Sequence, residues 1–243
     1  MPKIKVVLAY DGSGFDGFQI QKGRVDTVAK RLYEAFKSVG VFEKFNSSGR
    51  TDKGVHASFQ VIDITIPEFW VEKLEHLKKE LNRKLKPSVM IRDISLVSED
   101  FHSRYSAKRR VYRYVVSFDK FSPFTSKYVT FVDKLDEKKI KDAIKLFEGR
   151  HDFEYFKKSG GDTKNFVREI YKARYYRYKN LGVFYFEANG YLRSQIRLMV
   201  GFLLKISQGK LTIDELKLQL DKKEIFSRYL ASPSGLYLAK VKF

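Results

Sequence analysis

The chain of 243 residues has no cysteine, which excludes disulfides and thiolate metal sites. Histidine is scarce as well. His56, His76, His102 and His151 lie far apart, with no His-x-x-x-His pair among them, so no metal is expected. Acidic side chains are outnumbered, 29 Asp and Glu against 48 Lys and Arg, for a formal net charge of +19. Such an imbalance points to a polyanionic partner, nucleic acid first, although lysines can also serve only to solubilise a surface. No long hydrophobic run is present. The apolar stretch that follows Met1 ends at Asp11-Gly12, too early for a secretory core or a membrane span, and the expectation is a cytoplasmic protein without a membrane partner. Neither a Walker-type loop nor a dinucleotide-binding glycine fingerprint occurs.

What the chain does have is apolar substance: 43% of its residues are hydrophobic and 15% aromatic, enough to repay the ordering entropy of a folded core. Residues 3 to 10 are β-prone and stop at the turn cluster Asp11-Gly12-Ser13-Gly14, which predicts a first strand. Apolar residues from Val25 recur at Val28, Leu32, Phe36 and Val39, an amphipathic helix with Asp26 or Thr27 as its cap. Residues 59 to 66 read as a strand, Trp70 to Leu85 as a helix and 89 to 97 as a strand. A similar order begins again near Arg110: a strand over 111 to 116, a helix carrying Leu135, Ile140, Ile144 and Phe147, a hairpin over 170 to 188, helices over 195 to 207 and from Thr212, and a last strand from Leu236. The recurrence predicts an α+β protein of two fused ferredoxin-like (RRM-like) halves, residues 1–104 and 105–243. No Pro-, Gly- or Ser-rich linker separates them, so they are expected to pack as one body.

Asp52 stands out chemically. It sits in Gly49-Arg50-Thr51-Asp52-Lys53-Gly54-Val55-His56-Ala57, flanked by cations and bracketed by glycines that let backbone and substrate approach closely. Adjacent cations favour the ionised carboxylate, which suits a nucleophile or general base. Asp and Gly are also common turn residues, and by composition alone the run reads as a plain turn. A second basic run, Arg104, Lys108, Arg109, Arg110 and Arg113, is spread over ten positions and suits phosphate contacts or simple solvation.

The exact string around Asp52 resembles the active-site signature of the TruA-type tRNA pseudouridine synthases. Other segments are similar to that family in the same order: Tyr10-Asp11-Gly12-Ser13-Gly14-Phe15-Asp16-Gly17-Phe18-Gln19, Phe101 to Ala107, Tyr112-Arg113-Tyr114, His151-Asp152-Phe153, Val167 to Ile170, Tyr191 to Gly201 and Gly235 to Leu238. The resemblance implies an isomerase that converts uridine to pseudouridine at positions 38 to 40 of the tRNA anticodon stem-loop, with no cofactor. It implies a mainly antiparallel central sheet with helices on one face, a basic cleft, and a homodimer. Residue by residue, it makes Asp52 the reacting carboxylate, Tyr112 the ring against the target base, Arg197 the partner of the carboxylate, and Arg50 the arginine associated with nucleotide extrusion. Arg104, Arg109 and Arg110 are the expected phosphate contacts. Lys53, His56 and Arg168 are not counted in the site. Phe18 stands where the family usually has tryptophan, Ser194 where histidine is common, and Leu85-Lys86-Pro87 departs from a tighter pattern; these changes touch substrate choice more than Asp52.

Overall fold

The computed structural model describes residues 1–21, 23, 26–160 and 163–243. Val25, where the first apolar stripe was expected to begin, lies outside them. The chain is α+β, with pairing that is mainly antiparallel, and it divides into two compact units: Met1–Lys108 with Tyr237–Phe243, and Arg109–Leu236. The final strand therefore falls with the first unit, whereas the sequence placed it in the second half.

The first unit contains β1 (Lys3–Tyr10), α1 (Val28–Lys37), β2 (Asn46–Ser47), β3 (His56–Thr65), α2 (Leu74–Leu85) and β4 (Val89–Val97). Strand β1 lies between β4 and β3, antiparallel to both, and β2 pairs with β3. Thr27, one of two expected caps, caps α1: its Oγ1 accepts from the Lys30 amide at 3.3 Å. Asp26 instead holds Arg31 through two contacts of 3.0 Å. The stripe Val28, Leu32 and Phe36 is buried, as are Leu77, Leu81 and Leu85 of α2, and α1 packs on α2 and α2 on β4. Fully burying an aliphatic side chain of this size contributes about 1.5–3 kcal/mol. Ahead of α2 the segment Glu68–Lys73 is a 3-10 helix, and Trp70 within it donates from Nε1 to the Val39 carbonyl at 3.0 Å.

The second unit runs β5 (Arg109–Ser117), β6 (Thr130–Phe131), α3 (Glu137–Ile144), β7 (Gly149–Asp152), β8 (Val167–Tyr178), β9 (Leu181–Ala188), α4 (Gln195–Ser207) and α5 (Ile213–Leu220). Its strands follow the order β5-β9-β8-β7, all antiparallel, with β6 parallel to β5. Period-two alternation sends Tyr114, Val116, Phe184, Phe186, Ala173 and Tyr175 into the core. There α3 packs on β8 and on α4. Arg113, Tyr185 and Arg174 are aligned across β5, β9 and β8 on the other face. A two-residue turn closes the hairpin, with Lys179 at φ 52. Thr212 and Glu215 form the expected capping box.

The chain ends in β10 (Leu236–Lys242), which pairs in parallel with β3 through Tyr237↔His56 and Leu238↔Ala57. Among the described residues no helix is long and apolar enough to cross a membrane.

Candidate active site

Asp52 occupies the connection between β2 and β3, where the sequence put it, and is half-buried; Arg50 beside it is exposed. The loop is short and tied at both ends. At its start, fully buried Gln60 of β3 accepts from the Ser48 hydroxyl at 2.7 Å and donates to the Gly49 carbonyl at 2.8 Å. The Ser48 amide bonds the Val61 carbonyl at 2.9 Å. At its end the chain turns back: the Val55 amide donates to the Asp52 carbonyl at 3.1 Å, and Gly54 takes φ 77, a left-handed conformation that a side chain would resist. The loop's lysine, Lys53, reaches outward and pairs with Asp16 at 2.8 Å. Its positive charge is therefore matched locally.

Of the expected phosphate contacts, Arg104 belongs to this first unit. Its loop is pinned by buried Asp63, which accepts from the Ser103 amide at 2.7 Å and from Asn46 at 3.0 Å, and by a mutual pair of bonds between His102 and Ser106. Arg104 itself is exposed, with its guanidinium 5.5 Å from the Tyr105 ring.

Arg109, Arg110, Tyr112 and Arg197 belong to the second unit. On β5, Tyr112 is 8% exposed and its ring meets that of Tyr191 edge-on at 5.2 Å. The Tyr191 hydroxyl is buried without a hydrogen-bond partner, and burial holds this phenol well above its ordinary range, hence neutral. Arg109 donates to the buried carboxylate of Glu187 at 3.1 Å and lies over the Tyr171 ring at 4.6 Å. Glu187 also accepts from the Tyr185 hydroxyl at 2.8 Å. Arg110 donates to the Asn189 carbonyl at 2.8 Å.

Arg197 projects from α4 and is braced by a second strand of chain. Its Nε donates to the Ala231 carbonyl at 2.8 Å, and the Ala231 amide returns a bond to the Arg197 carbonyl at 3.1 Å. Gly201, one turn further on, makes that close approach possible, because a Cβ there would fall 2.2 Å from the Tyr229 carbonyl oxygen. The two bonds to Ala231 fix where the Arg197 side chain leaves the helix.

The supports themselves went unread in the sequence. Gln60, Asp63, Glu187 and Ala231 carry no motif of their own, and their roles exist only once strands or distant segments pair. Among the described residues no three His, Asp or Glu side chains converge as a metal site would require.

A loop-borne carboxylate between two cationic side chains, on an α+β scaffold of strong positive charge, suits an enzyme that works on a polyanion. Comparison with known proteins makes this specific. A family profile described as tRNA pseudouridine synthase matches residues 143–243. Proteins named tRNA pseudouridine synthase A are similar to the whole chain. That of Wolinella succinogenes is 46% identical, covering 100% of this chain and 95% of its own length. That of Helicobacter hepaticus is 42% identical, covering 100% of both. The more distant Phytoplasma mali protein is 38% identical over 98% of this chain and 97% of its own. The chain belongs to the tRNA pseudouridine synthases, isomerases that convert uridine to pseudouridine, and its full-length relatives are those designated A.

Proposed function

We propose that the chain isomerises uridine to pseudouridine at positions 38 to 40 of the tRNA anticodon stem-loop, with Asp52 as the reacting carboxylate and no cofactor. Full-length similarity to proteins named tRNA pseudouridine synthase A, with Asp52 held in its glycine-bracketed loop, is the observation that carries this reading.

The reaction breaks the bond between uracil N1 and ribose C1′ and forms one between C5 and C1′. C5 loses its proton and N1 gains one, so the product is an isomer and no electron acceptor is required. Three first steps are available to the Asp52 carboxyl group: addition to the base, attack on C1′, or removal of a ribose proton. A paired uridine must leave its helix before any of them. Arg50, exposed beside Asp52, assists extrusion; Tyr112 offers its ring to the flipped base; Arg197 orients the carboxylate by a charge-assisted bond. Arg104, Arg109 and Arg110 contact phosphates in a basic cleft, and the protein works as a cytoplasmic homodimer, as in the family. Supporting two ferredoxin-like halves, the first unit runs β1, α1, β2, β3, α2, β4, with β1 between β4 and β3.

The test is a map of pseudouridines in unmodified tRNAs incubated with the protein. Product confined to positions 38 to 40 is expected. Product in another RNA or at other positions would retain the chemistry and replace the substrate.

A further inference from the structure

The segment from Tyr10 to Phe18 runs along the Asp52 loop and meets it through Tyr10, Gly12, Phe15, Asp16, Gly17 and Phe18. Tyr10, at the end of β1 and 4% exposed, places its hydroxyl 2.8 Å from the Thr51 hydroxyl. Thr51 is the residue immediately before Asp52. The Phe18 amide donates to the Thr51 carbonyl at 3.1 Å and the Gly54 amide to the Phe15 carbonyl at 3.3 Å. Gly17, at φ +103, lies so close that a Cβ would stand 3.0 Å from the Thr51 oxygen and 3.3 Å from both the Asp52 carbonyl carbon and the Lys53 nitrogen. Gly12 is tighter still: a Cβ there would lie 2.0 Å from the Val55 oxygen. Its amide donates to Nδ1 of buried His56 at 3.0 Å, and the imidazole stacks on Tyr237 with centroids 4.7 Å apart.

These contacts grip the backbone on both sides of Asp52 and leave its side chain to other partners. We infer that Tyr10, Gly17 and His56 are positioning residues for Asp52, with the Tyr10–Thr51 hydroxyl pair setting the angle at which the carboxylate enters the site. The inference rests on the reading of Asp52 as the reacting group. A reacting atom misplaced by about 1 Å costs on the order of a hundredfold in rate, so a brace of this kind acts on kcat. His56, left out of the site by the sequence, accepts the Gly12 amide where the chain enters β3 and forms the far end of the brace.

The test uses the full chain and tRNA tritiated at uridine C5. Tyr10→Phe removes one hydroxyl and keeps the ring packed on Phe18, whose centroid is 6.1 Å away. It should lower kcat on the order of tenfold, leave KM within about twofold and keep the unfolding midpoint within a few degrees. Thr51→Val should match it, Thr51→Ser should retain most of kcat, and Tyr10→Phe with Thr51→Val should be no worse than the poorer single variant, because the two hydroxyls act as one unit. Four results would overturn the positioning role: a kcat within twofold in Tyr10→Phe, a rise in KM with kcat unchanged, a loss that tracks the unfolded fraction, or Thr51→Ser as poor as Thr51→Val. No tritium release by the unmodified protein would instead remove the Asp52 reading, and the inference with it.

Discussion

At the scale of single residues, the candidate site is a set of side chains that mean nothing until their supports are counted. Asp52 was legible because its neighbours in sequence are its neighbours in the loop, and Gly54 takes the left-handed turn that a glycine there suggests. Gln60 was not legible. A glutamine in a β-strand looks like a solvent-facing residue, yet it is fully buried with both ends of its amide engaged. Gln60→Leu would leave the Ser48 hydroxyl and the Gly49 carbonyl short of partners, a cost of about 1–3 kcal/mol, measurable as a lower urea midpoint at unchanged slope. Arg109 gives a parallel case. Its guanidinium compensates the buried carboxylate of Glu187, so Arg109→Ala is expected to destabilise the protein in the absence of RNA. An exposed arginine whose only role was phosphate contact would show no such loss.

Among the elements, those with a long apolar period matched the sequence most closely. Strands Lys3–Tyr10 and Val89–Val97 and helix Gln195–Ser207 fall where the pattern put them, because each is held by its own buried stripe. The short strands β2, β6 and β7, of two to four residues, were invisible, since so few residues show no period and exist only through a partner. Strand β3 begins at His56, three residues before the β-prone run, because pairing with β1 and β10 extends it. In the second unit, burial pushes the phenols of Tyr114, Tyr175 and Tyr185 each up to about 12 and Tyr191 well above its ordinary value. A raised folded value favours the neutral form, so this contribution is intact below pH 10, the ordinary phenol range, and is lost as pH rises from about 10 towards 12. Urea midpoints taken every half unit from pH 8 to 12 should fall in that window, and Tyr114→Phe should make the fall shallower. A midpoint flat across the window would contradict the assignment.

For the molecule as a whole, composition spoke first. A charge of +19 without cysteine or clustered histidines left nucleic acid as the leading partner, and full-length relatives agree with an RNA substrate. The pairing of distant segments was out of reach: the return of the final strand to β3 and the lie of Tyr10 to Phe18 along the Asp52 loop are long-range facts. Neutralising Arg104, Arg109 and Arg110 together should flatten the dependence of log Kd for tRNA on log salt by about 2 to 3, with folding checked by circular dichroism. An unchanged slope would take that run off the RNA surface. Tritium release from C5-labelled tRNA decides whether Asp52 is the reacting carboxylate. Release by the unmodified protein is expected, with a loss of at least about a thousandfold in Asp52→Asn at equal tRNA affinity. Equal release by both proteins would contradict that role.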